Sequence, residues 1–260
     1  MNAPAQADAT GRCANCSAPA AGAYCHACGQ RIAVHRLTLP HLLHEIPHAI
    51  FHVDRGLLVT IRELALHPGR TIRDYLDGRR IRYFNPLSLL AILAGLCALC
   101  YAKFPFDFSG FVIGAPAKEA EIMIRIQKTM LVNYSIGLAM QLPLLALATY
   151  WVLRCGRSYG EHLVVNAFIL AFLCAINLAM MPAFMVANGS HWMPRIMMTS
   201  VVFYLIYQLY ALWDTFRTPG RGVVGALRTI AALAVFYAMI VIGAMIVGVI
   251  IGAVMALRGQ

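Results

Sequence analysis

Apolar positions fall into two regimes along the chain. Before residue 85 they alternate with polar and charged residues in short runs, and after it they fill long, almost uninterrupted stretches. A helix that crosses a bilayer needs about 20 mostly apolar residues. Residues 86–104, 132–153, 163–187, 196–216 and 227–257 meet that requirement and predict five transmembrane helices. The fifth is longer than a perpendicular crossing needs, so it tilts or emerges into water. Asn85 followed by Pro86 reads as an N-cap and first helical position, and Tyr83 and Phe84 suit the membrane interface.

Upstream, residues 57–66 and 71–76 carry short helical patterns separated by Pro68 and Gly69. Further back, at 100° per residue, Leu39, Leu42, Leu43, Ile46, Ala49, Ile50 and Val53 share one side of a helix, and His41, His44, His48 and His52 share the other. Pro47 kinks or restarts that helix. The fold class expected is an all-α membrane protein, about five transmembrane helices preceded by amphipathic interfacial helices. Residues 118–130, between the first two spans, predict a short surface helix.

Composition supports this reading. Hydrophobic residues make up 60% and charged residues 12%, against roughly 45–50% and 25% in ordinary globular domains. The net charge of +10 is decided by where it lies. With the N-terminus inside, ten Lys and Arg fall in residues 1–85, two in 154–162 and three in 217–228. The other side receives Lys103, Lys118, Arg125, Lys128, Arg195 and Arg258. The positive-inside rule then gives an N-in, C-out chain, expected in a bacterial inner membrane. The basic charge is a topology signal, which disfavours nucleic acid as a partner. Within it, Arg70, Arg73, Arg79, Arg80 and Arg82 precede the first span and would attract anionic head groups of the lipid bilayer.

Four regions follow: a disordered tail at 1–12, too poor in apolar surface to order, a cysteine unit at 13–36, a basic amphipathic stretch at 37–84, and the bundle at 85–260. The strongest chemical signal lies in the second. Cys13-Ala-Asn-Cys16 and Cys25-His-Ala-Cys28 are two Cys-x-x-Cys knuckles eight residues apart, the pattern of a four-cysteine zinc ribbon. Four thiolates leave no open coordination position, so one structural zinc per chain is expected. Arg12, Arg31 and Arg36 offset its surplus negative charge.

Weaker signals compete elsewhere. His44-Glu45-Ile46-Pro47-His48 fits the His-Glu-x-x-His pattern, but a proline stands between the ligands and no third ligand is near in sequence. A second, non-catalytic metal site built from His44, Glu45, His48, His52 and His162 is an alternative to a plain solvated histidine row. Gln141, Asn166, Asn177 and Gln208 fall inside spans and Asp214 near a span end. Intramembrane amides join helices more often than they line ion paths. Cys97, Cys100 and the stripe Tyr204, Tyr207, Tyr210 read as packing residues.

The two knuckles, Cys25-His-Ala-Cys-Gly-Gln30, Leu42-Leu-His-Glu-Ile-Pro-His48, Phe51-His-Val-Asp-Arg-Gly56, Pro68-Gly69, Asp77-Gly-Arg-Arg80 and residues 83–86 together resemble an uncharacterised bacterial membrane-protein family, a domain of unknown function with an N-terminal zinc ribbon. The resemblance covers residues 13–90, with Tyr159-Gly-Glu-His162 as a further landmark. It implies a multi-pass inner-membrane protein with a cytoplasmic ribbon, and it supplies no activity. The sequence therefore points away from an enzyme, toward a membrane protein whose ribbon docks a cytoplasmic protein. A membrane metalloenzyme or metal-handling protein using His41, His44, His48 and His52 is the alternative, and a small-solute transporter comes third.

Overall fold

The structure, a computed structural model, describes residues 11–19, 22–32, 56–104, 106–107, 112, 116–153, 155–217 and 222–258, with side chains described as far as residue 246. Eight helices stand among the described residues: α1 Gly56–Leu66, α2 Pro68–Leu76, α3 Pro86–Lys103, α4 Ala117–Val132, α5 Tyr134–Leu153, α6 Tyr159–Ala187, α7 Met193–Phe216 and α8 Gly222–Arg258. No strand is found among those residues, only two isolated bridges in the cysteine unit. Five helices, α3, α5, α6, α7 and α8, are long and apolar enough to cross a membrane. They match the five expected stretches, and α4 is the surface helix expected between the first two.

Capping explains where the spans begin. The Asn85 side chain accepts from the backbone N–H groups of Leu87 at 3.0 Å and Ser88 at 3.3 Å, and Pro86 takes the first turn, where an N–H would be unpaired. Replacing Asn85 with Ala is expected to cost about 1 kcal/mol, read as a lower melting temperature in detergent. The third span starts four residues before the expected boundary, at Tyr159, because Ser158 and Glu161 form a capping box. The Ser158 hydroxyl accepts from Glu161 N–H at 3.3 Å and the Glu161 carboxylate from Ser158 N–H at 2.6 Å. The fifth span also begins early, at Gly222.

Helix α6 is the centre of the bundle. Its first two thirds are buried almost without interruption, whereas α8 keeps most of its surface outward, toward the lipid. Helices α3, α5 and α7 pack around α6, and α8 lies mainly along α5. The paired helices α1 and α2 fold over one end of the bundle. Leu64 and Ile72 are fully buried, Tyr75 meets Phe168 edge-on at 5.1 Å, and the Tyr207 hydroxyl donates to Leu64 O at 3.0 Å. Burying side chains of this size contributes about 1.5–3 kcal/mol each. One side of α1 and most of the apolar face of α2 are therefore spent on the bundle, while Leu58, Val59 and Leu66 of α1 stay exposed.

Two of the four intramembrane amides join helices, while Gln141 and Gln208 line a cavity between the spans. Tyr101 donates to Asn177 at 2.7 Å between α3 and α6, and Asn166 binds Thr149 of α5 at 2.9 Å. Cys97 is fully buried, its thiol 3.5 Å from Cys174 O.

Candidate metal centre

The cysteine unit is a twelve-residue pattern written twice. Ser17 N–H donates to Cys13 O and Gly29 N–H to Cys25 O, both at 2.8 Å, closing each knuckle. Cys13 N–H donates to Ala18 O at 2.9 Å and Cys25 N–H to Gln30 O at 2.8 Å. Bridges pair Arg12 with Pro19 and Tyr24 with Arg31. Each turn ends in a left-handed residue, Ser17 at φ 60° and Gly29 at φ 74°, which frees the following N–H groups to point back at the thiols. Thus residues with little apolar surface fold around a shared polar centre.

That centre is shaped for a metal ion. All four Sγ atoms lie within 4.8 Å of one another, with Cys13 to Cys28 at 3.6 Å and Cys16 to Cys25 at 3.5 Å. Four sulfurs around an ion at about 2.3 Å stand about 3.8 Å apart in a tetrahedron, so the donor set fits. It is the only group of three or more such ligands among the described residues. Four thiols this close cannot all ionise without a cation. Cys28 is held below the usual thiol range, first by the Gln30 backbone N–H. Cys16 is pushed up to about 12: the Ala18 N–H lowers it, but desolvation and the neighbouring thiols outweigh that.

The unit is pinned to the membrane domain by the residue that follows its second knuckle. Gln30 is buried; its amide donates to Gly78 O at 2.7 Å, and its carbonyl oxygen accepts from Arg80 N–H at 3.2 Å and Ile81 N–H at 3.4 Å. One side chain therefore reads the backbone of the turn between α2 and α3. The same residue sends its backbone N–H to the Cys28 sulfur, so ligand and clamp are two residues apart. The function of Gln30 was not legible beforehand, because a glutamine after a cysteine knuckle has no diagnostic spacing.

The arginines of that turn find partners within the cap, with Arg79 and Arg82 still about half exposed. Arg79 pairs with Asp74 at 3.1 Å, Arg82 with Glu63 at 3.3 Å, and the Arg80 guanidinium stands 5.8 Å from the centre of the Tyr75 ring. Tyr83 donates to Asp74 at 3.2 Å, and desolvation with that carboxylate holds its phenol above the usual range. Arg73 reaches Asp214 and Thr215 O on α7. Arg70 stays exposed.

Asp214 is the keystone of this end. Its carboxylate accepts from the Gly69 N–H at 2.9 Å at the start of α2 and pairs with Arg217 at 3.1 Å. A carboxylate at a helix N-terminus is favoured by the orphan N–H groups and the helix dipole. Gly69 is obligatory here: a Cβ at that position would lie 2.4 Å from Oδ2 and 2.5 Å from the backbone carbonyl carbon of Asp214. These contacts join residues 145 positions apart.

This cap coincides with a known sequence pattern. Residues 54–97 match the family model described as a protein of unknown function, DUF3667. The match takes in α1, α2, the arginine turn and most of α3, and it leaves the cysteine unit outside. No curated protein and no solved structure matches the chain.

The remaining candidates scatter. His41, His44, Glu45, His48 and His52 lie outside the described residues. His162 is fully buried between α5 and α7, stacked on Phe216 at 5.1 Å, with Nδ1 3.2 Å from Thr149 Oγ1 and Nε2 3.8 Å from Cys155 Sγ. Within the membrane, a cavity of about 340 Å³ is lined by residues that include Tyr134, Gln141, Asn177, Tyr204 and Gln208.

Proposed function

We propose that this chain is an inner-membrane scaffold whose N-terminal cysteine unit, locked by one zinc ion, forms a cytoplasmic docking module for a soluble protein. The zinc replaces the core that so small a unit lacks, since metal binding is folding energy in such units. The observation that carries the reading is the Gln30 clamp. It ties the unit to the turn between α2 and α3, so a partner that reads the exposed residues of the unit meets the cap beside it. The excess of Lys and Arg on that side of the spans supports a cytoplasmic position for the unit and the cap. Arg70 and the outer edges of Arg79 and Arg82 lie where anionic head groups would meet the cap, so the bilayer orients the module while a protein partner reads it.

The test is site-specific photo-crosslinking in native membranes from exposed positions of the unit, Tyr24 and His26. A defined soluble protein is expected, lost when Cys16 is replaced by Ser; crosslinks to lipid alone, unchanged in that variant, would overturn the reading. Gln30→Ala is expected to weaken the docking of the unit by about 1–3 kcal/mol. Amide hydrogen exchange should quicken in residues 22–32 and 78–82 while the spans keep their protection.

A small-solute path is the second reading, favoured by the three amides, Gln141, Asn177 and Gln208, that line an otherwise largely apolar cavity between the spans. Flux through proteoliposomes that falls in Gln208→Leu is its test.

A further inference from the structure

Between α5 and α6, remote from the cysteine unit, a thiol and an imidazole face one another. Cys155 is exposed in the connection, and His162 Nε2 lies 3.8 Å from its Sγ. The imidazole belongs to a fully buried residue, held between the Phe216 ring in a near-parallel stack and the edge of Tyr150 at 5.7 Å. Only the Nε2 edge of the ring looks toward the connection.

The proton on that ring can be placed by counting. Thr149 Oγ1 has one hydrogen, and it is given to the carbonyls of Leu145 and Ala146, both at 3.0 Å, one helical turn back. Two acceptor positions remain on the oxygen. The Asn166 amide fills one at 2.9 Å, with its other N–H on His162 O at 2.8 Å, which also fixes which end of that amide is nitrogen. His162 Nδ1, at 3.2 Å, faces the last acceptor position and so carries the ring hydrogen. Nε2 is then a lone pair directed at the Cys155 thiol. A nucleophile, a base within reach and a third group that sets the tautomer of the base make the arrangement that activates nucleophiles.

We propose that Cys155 is a base-assisted thiol that accepts a sulfenyl group from low-molecular-weight disulfides, with His162 as its base and Thr149 and Asn166 as positioning residues. The thiol passes its proton to His162 Nε2 as Sγ attacks one sulfur of the disulfide. A new Cys155 S–S bond forms, the old S–S bond breaks, and the departing thiolate takes the proton from the imidazolium to leave as a free thiol. Cys155 is oxidised, one half of the small disulfide is reduced, and the site returns by the reverse exchange with excess thiol. Among the described residues, the charged and phenolic groups of the neighbouring elements have partners of their own. Arg157 lies two residues on and pairs with Asp77 at 3.6 Å and with Glu161 at 3.9 Å, and Tyr159 lies edge-on to Tyr150. From α7, Asp214 and Arg217 are already paired with each other.

The experiment uses the full chain in lipid nanodiscs and 2,2′-dithiodipyridine, a neutral disulfide, with mass spectrometry to assign the modified cysteine. An ordinary thiol, with a pKa of about 8.5, is only about 3% ionised at pH 7. An assisted one is expected to react about ten-fold faster in the wild type than in His162→Gln. At pH 9.5, where a thiol ionises unaided, the two rates should converge to within about two-fold. Thr149→Val, which removes the hydroxyl and keeps the volume, is expected to fall between them at pH 7. As a measure independent of any variant, wild-type Cys155 at pH 7 should outpace N-acetylcysteine. Equal wild-type and His162→Gln rates at pH 7, a gap that persists unchanged at pH 9.5, or a wild-type Cys155 slower than N-acetylcysteine would each overturn the assignment.

Discussion

Gly69→Ala is expected to lose about 3 kcal/mol or more of stability, the largest single-residue effect at the basic end of the bundle. The added methyl would stand 2.5 Å from a backbone carbon of α7, which has no rotamer to yield, so α2 must lift from its seat. Overpacking alone costs about 1–3 kcal/mol. Lifting also parts the Gly69 N–H and Arg73 from Asp214, whose side chain is only 11% exposed, and leaves that carboxylate short of partners. Thermal unfolding in detergent reads the loss. Adding Asp214→Ala should not restore stability, because the obstructing backbone atom stays in place. A Gly69→Ala protein within 1 kcal/mol of wild type would show that α2 does not seat on α7 as described.

Withdrawing the metal is expected to unfold the cysteine unit outright while the spans persist. Structural four-thiolate sites bind zinc with apparent free energies of about 10–16 kcal/mol near neutral pH, far above what residues 11–32 can gather from apolar contacts. Acid should have the same effect as a strong chelator. The ion binds thiolates only, so each thiol protonated in the empty site must release its proton on binding. Cys16, pushed up to about 12, is protonated throughout the physiological range, whereas Cys28 is held low. With two to four protons released, affinity should fall by about two to four powers of ten per pH unit below neutrality. Competition with a chromophoric chelator between pH 5.5 and 7.5 measures the slope. A pH-independent affinity would mean that the four cysteines do not share one ion.

The spans were legible because lipid imposes a length and a composition that no local preference overrides; each of the five expected spans is a helix. Starts were less legible where polar residues decided them. The Ser158 and Glu161 box carries α6 past the apolar boundary, a signal present in the spacing but weaker than hydropathy. The knuckles were readable because thiolate geometry dictates their spacing. The partners of the arginines were not. Arg73, Arg79 and Arg82 look alike in a basic run, and only the folded cap shows that three carboxylates, from α1, α2 and α7, claim them. The pairing of Cys155 with His162 was hidden for a related reason, since the thiol sits in a connection and the histidine opens a span.

The contact between Gly69 and Asp214 also sets an order of events at the ribosome. Helices α1 and α2 leave the exit tunnel long before α7 exists, and at about 5–20 residues per second the intervening 145 positions take about 7–30 s to make. Tyr75 can close on Phe168 once α6 is made, but the Tyr207 bond to Leu64 O and the Asp214 seat of α2 wait for α7. The cap formed by α1 and α2 is thus completed only late in synthesis, and the arrival of the fourth span is what locks it.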